Sequence, residues 1–96
     1  MLIQLQKLNI INEGFGKTNI TLNKIYLNPT HIISVVDYNG AQEFLLREGN
    51  QEYKGKSFSL LRFATASKVE EMIVLGKSEQ IYSKINPAGK KDLLNG

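Results

Sequence analysis

Two segments, Ile32-Ile33-Ser34-Val35-Val36 and Met72-Ile73-Val74-Leu75, are apolar at successive positions rather than at alternate ones. Neighbouring side chains on a β-strand point to opposite faces, so both runs need cover on two sides. A chain of 96 residues forms one domain and buries about 60–70% of its unfolded surface. A small barrel of that size has one interior. The second face of each run must therefore be covered by a helix or by a neighbouring subunit.

The rest of the chain has mainly the period-two pattern of strands. Ile3 and Leu5 alternate with glutamines, and Leu8 and Ile10 continue on the opposite phase, which predicts a bulge near Lys7. Leu2, Leu5 and Leu8 also lie at helical spacing, so a short N-terminal helix is the alternative. Asn12 to Gly16 form a turn. Ile20 and Leu22, then Ile25 and Leu27 on shifted phase, make a second strand ended by Asn28-Pro29. Asn39-Gly40 is a hairpin signal before a strand through Phe44-Leu45-Leu46. Glu48 to Lys56 reads as the longest surface loop, Ser57 to Thr65 as a strand, and Ala66-Ser67-Lys68 as a turn. Ser78 can cap a short helix that carries Ile81 and Ile85 four residues apart. The expected fold is all-β with one short helix, a small bent five-stranded antiparallel barrel over residues 1–86. Residues 87–96 are expected as a basic tail.

Catalytic parts are missing from the sequence. There is no cysteine and a single histidine, His31, so any metal centre would have to be built from carboxylates. Glu70 and Glu71 are adjacent and would face opposite sides of a strand, unable to work as an acid–base pair. Gly16-Lys17-Thr18 and Gly76-Lys77-Ser78 resemble the end of a phosphate loop, but Ile11 and Glu71 stand where its first glycine is needed. Neither an enzyme nor a bound cofactor is expected. No apolar run approaches the ~20 residues that cross a bilayer. The polar N-terminus also lacks a signal-peptide core, so a cytoplasmic protein is expected. A net charge of +3 with a pI of about 9.2 permits a nucleic-acid partner without requiring one.

Two stretches resemble a known family. Met72-Ile73-Val74-Leu75-Gly76-Lys77-Ser78-Glu79-Gln80-Ile81-Tyr82 resembles the second motif of Sm-like proteins, with Gly76 on the motif's glycine and Leu75 in place of its arginine. Asp37-Tyr38-Asn39 offers the three residue types that end the first Sm motif, at contracted spacing. The run from Gly76 to Asn86 is also similar to short proteins of marine tailed phages of the cyanophage type. Ile25-Tyr26-Leu27-Asn28-Pro29-Thr30-His31-Ile32 resembles the opening of the FlbD-type small proteins, also short and β-rich.

The Sm-like (Hfq-type) resemblance implies a ring of identical subunits and single-stranded RNA or DNA bound at its pore face. Asp37, Tyr38, Asn39, Gly76 and Lys77 would be the nucleic-acid-binding residues, with Tyr38 stacking on a base and Asn39 reading its edge. Leu75 in the arginine position leaves the usual uridine pocket incomplete. Strand pairing between protomers, with Met72–Leu75 as one edge, would close the ring. The alternative is a structural or adaptor phage protein that forms the same ring without nucleic acid. Tyr38 could equally cover a barrel end, and Lys77 could be a solvated turn lysine.

Overall fold

The computed structural model describes residues 1–14, 16–47 and 51–86. It contains strands β1 (Ile3–Gly14), β2 (Lys17–Leu27), β3 (Ile32–Asp37), β4 (Phe58–Ala64) and β5 (Val69–Leu75), with helices α1 (Asn39–Arg47) and α2 (Ser78–Ile85). The five strands form one antiparallel sheet in the order β2-β1-β5-β4-β3. The expected all-β architecture with five antiparallel strands is thus present, and the helix expected at Ser78–Ile85 is α2. Residues 87–96, expected as a tail, lie outside the described residues.

The N-terminal segment is a strand and carries no bulge at Lys7. Its pairing with β2 is continuous from Ile3↔Leu27 to Asn12↔Thr18, and the register shifts only at the turn, between Asn12 and Gly14. Directly opposed residues of an antiparallel pair share a face. The change of phase after Leu5 is therefore matched across the ladder. Leu5 opposes Ile25, Leu8 opposes Leu22, and the switch itself falls at Gln6↔Lys24 and Lys7↔Asn23. Both arms of the hairpin turn their apolar side chains from one face of the sheet to the other at the same point.

Two apolar clusters explain the switch. The first joins Ile3, Leu5, Leu61, Met72 and Val74 to Ile81 of α2. The second joins Leu8 and Phe58 to Ala41 and Leu45 of α1 and to Tyr53. Odd and even positions of β4 and β5 feed opposite clusters, with Ile73 and Leu75 packed against the second. Met72–Leu75 is apolar on successive positions because each face of β5 has its own helix.

Three expectations are corrected by these placements. Met72–Leu75 is not a sheet edge, because β5 lies third of five, between β1 and β4. Its contact with β1 is a single paired position, Lys7↔Val74. The strand expected after Asn39-Gly40 is helix α1, which buries Ala41 and Leu45 at i, i+4 spacing. There are thus two α-helices among the described residues instead of one. The run Ile32–Val36, expected to be buried on both faces, is an edge strand that leaves Ile33 54% and Val36 51% exposed.

Shorter features complete the frame. Pro29–His31 is a single 3-10 turn whose entry is fixed by Asn28, which accepts hydrogen bonds from the Thr30 amide (3.0 Å) and the Thr30 hydroxyl (2.8 Å). His31 is an exposed turn residue. The segment expected as a polar loop from Glu48 to Lys56 includes a 3-10 turn at Gln51–Tyr53. Tyr53 is buried there and meets the Phe58 ring at 6.3 Å. No helix among the described residues is long and apolar enough to cross a membrane.

Candidate functional site

The start of β4 holds the two segments singled out in the sequence. Phe58 accepts a hydrogen bond from the Tyr38 amide at 2.9 Å, and Ser57 accepts one from the Gly76 amide at 2.8 Å. The fully buried Ser59 donates its hydroxyl hydrogen to the Gly76 carbonyl at 2.7 Å. Three consecutive residues thus clamp the β3–α1 link to the β5–α2 link, although these lie about forty positions apart in the chain.

A fourth contact joins the two links directly. The Ser78 amide donates to Asp37 Oδ1 at 2.8 Å. Ser78 is the first residue of α2 rather than its cap. Lys77, in the cap position, has no acceptor to offer. The Asp37 carboxylate and the Gln80 side chain take that role, the latter accepting from the Lys77 amide at 3.1 Å. A negative charge at a helix N-terminus is favourable in its own right.

Those bonds hold the Asp37 carboxyl below its ordinary value of 3.8. The Ser78 amide is the chief cause and the Ser78 hydroxyl the next, with a smaller contribution from the charge of Lys77. The sign of the consequence follows from linkage. A carboxylate with a depressed folded-state pKa stabilises the fold above its unfolded value, and that stabilisation is lost as pH falls through the folded value. Urea midpoints measured from pH 6 downward are expected to fall below about pH 4. The fall should be shallower in Asp37→Asn, which stays neutral throughout. Parallel pH profiles for the two proteins would remove Asp37 from that role.

The five residues do not all face one way. Asp37, Asn39 and Lys77 line one cavity of about 320 Å3 with Ser57 and Glu79. Gly76 and Lys77 line an adjoining cavity of about 320 Å3 with Lys56, Ser57 and Gln80, and no carboxylate of the described residues borders it. Tyr38 is turned away from both. Its ring lies beside Gly40 and borders a separate groove against β1 and α1. No family model, curated protein or solved structure matches the chain.

Two details depart from the motifs that suggested these residues. Gly76 joins a strand to a helix, and Asp37-Tyr38-Asn39, expected to lead into a strand through Phe44-Leu45-Leu46, likewise joins a strand to a helix. In the sequence Ser57 carries no signal, and Lys56 looks like a solubilising charge of a surface loop. Their place beside Gly76 comes from the β4–β5 ladder, in which Phe58 opposes Leu75. Among the described residues, no group of three or more acidic or histidine side chains could hold a metal ion.

Proposed function

We propose that the chain is a non-catalytic binding module of the cytoplasm. Its loop end, formed by the β3–α1 and β5–α2 links, would contact single-stranded RNA or DNA. The observation that carries this reading is the cavity bordered by both Lys56 and Lys77, which no carboxylate of the described residues lines, beside the cavity that holds Asn39. Two lysines bordering one site suit the phosphates of a flexible strand. Tyr38, 39% exposed around the corner of the same link, offers a stacking surface for a base of a strand that crosses the loop.

Fluorescence anisotropy with U-rich and A-rich oligonucleotides tests the reading. Affinity should fall steeply with salt, because each phosphate contact releases counterions. Tyr38→Ala should weaken binding by about 1–3 kcal/mol if one base stacks there. Absence of binding to both oligonucleotides at low salt would defeat the proposal.

The second reading, an adaptor that assembles with copies of itself, is favoured by the unpaired side of β3. That edge carries the exposed Ile33 and Val36 and no lysine or proline of the kind that usually protects an edge. A ring would join it to β2, the opposite edge of the sheet. Light scattering at micromolar concentration distinguishes such a ring from a monomer.

A further inference from the structure

The groove beside Tyr38 has a chemistry of its own. It encloses about 340 Å3, at the lower end of the roughly 300–1,000 Å3 range of small-ligand sites. Its walls are Leu8, Ile10 and Ile73 from the sheet and Phe44 from α1. Ile10 is 43% exposed, so two of the chain's exposed large apolar side chains, Ile10 and Tyr38, converge on this groove.

Among the described residues, Arg47 is the single charged one on the groove's border. Its guanidinium lies 5.9 Å from the centre of the Phe44 ring, which holds the charge beside the apolar wall. No ion pair joins Arg47 to another described residue. The groove is thus half open and of mixed lining, with four apolar side chains grouped on one part of it and one cation beside them.

We infer that this groove binds a small amphiphile with an apolar body and a single anionic head, of the medium-chain carboxylic acid class, with the head on Arg47. Charge complementarity selects the head. A cationic amphiphile meets Arg47 with like charge, and a neutral one forfeits a charge-assisted hydrogen bond. The walls select the body. Leu8, Ile10, Phe44 and Ile73 offer no side-chain hydrogen-bonding group, which suits a hydrocarbon body. The groove shares no lining residue with the Lys56–Lys77 cavity but does share Tyr38 with the proposed nucleic-acid surface, so it is tested without nucleic acid.

The test is a titration of the full chain, followed by amide NMR, with octanoate, octanol and octylamine below the concentrations at which they form micelles. Octanoate is expected to give saturable shifts confined to residues 8–10, 38–47 and 73. Octylamine is expected to bind at least tenfold more weakly. Arg47→Gln should weaken octanoate about tenfold and leave octanol unchanged, and Arg47→Lys should recover part of the loss. Arg47 is exposed on the last turn of α1, and the unshifted spectrum of each variant checks that it folds. Equal affinity for octanoate and octylamine overturns the inference. So does octanoate binding that Arg47→Gln leaves intact, or shifts that fall elsewhere. Response to a Phe- and Asp-rich peptide without response to octanoate overturns it in favour of a protein partner.

Discussion

Leu45→Ala is expected to lower the unfolding free energy by about 2–5 kcal/mol, the range for truncating a fully buried leucine. Leu45 has no exposed surface and sits with Ala41, Tyr53, Phe58 and Leu8 in the cluster under α1. The loss has two parts, the transfer of the missing carbons and the cavity left behind. A nine-residue helix cannot sustain itself in water, so α1 depends on that cluster for its existence. The variant should lose helical signal in circular dichroism along with its urea midpoint. A midpoint unchanged from the parent would mean that α1 does not dock where Leu45 places it.

Gly76→Val is expected to cost about 1–3 kcal/mol in backbone strain alone. Gly76 has φ of +121°, a region that side-chain-bearing residues rarely enter. A Cβ there would also stand 3.3 Å from Cδ1 of Ile81, a residue buried in the cluster under α2. Ile81 can give way only by disturbing that cluster. The same substitution should therefore loosen the β5–α2 link and the Asp37–Ser78 bond that depends on it. Urea denaturation of the variant checks the energy, and the Ser78 amide resonance checks the link. A midpoint within error of the parent would show that position 76 tolerates a side chain in its native conformation.

The sheet was legible in the sequence wherever one rule acted alone. Period-two alternation located β1, β2 and β4, and Ser78 with Ile81 and Ile85 located α2, with the cap one residue earlier than expected. The errors came where two rules competed. Asn39-Gly40 is a hairpin dipeptide, yet Ala41, Gln42, Glu43, Leu45, Leu46 and Arg47 are strong helix formers without a β-branched residue among them. That composition outweighs the dipeptide once Ala41 and Leu45 have an apolar face to cover. Lys7 misled because a change of phase within one strand looks the same whether the chain bulges or changes sides. The matching change at Asn23-Lys24 was visible in the sequence, and only the register shows that the two stand opposite each other. The gathering of Asp37, Asn39 and Lys77 was foreshadowed by motif resemblance. The outward turn of Tyr38 was not, since side-chain direction after a strand end depends on whether a helix or a strand follows.

The paired change of sides in the β1–β2 hairpin also restricts how this sequence can drift. A one-residue insertion or deletion within either arm reverses the side chains beyond it. Inserted before Leu8, it would carry Leu8 and Ile10 away from α1 while Leu22 and Ile20 stayed. An answering insertion on the other arm at the opposed position, Asn23 for Lys7, would restore the pairing but turn Leu22 and Ile20 away from α1 as well. Length changes in descendants of this chain should therefore accumulate at the turn between Gly14 and Lys17 and be rare within the arms, where neither a single nor an opposed pair of insertions keeps Leu8 and Leu22 on α1.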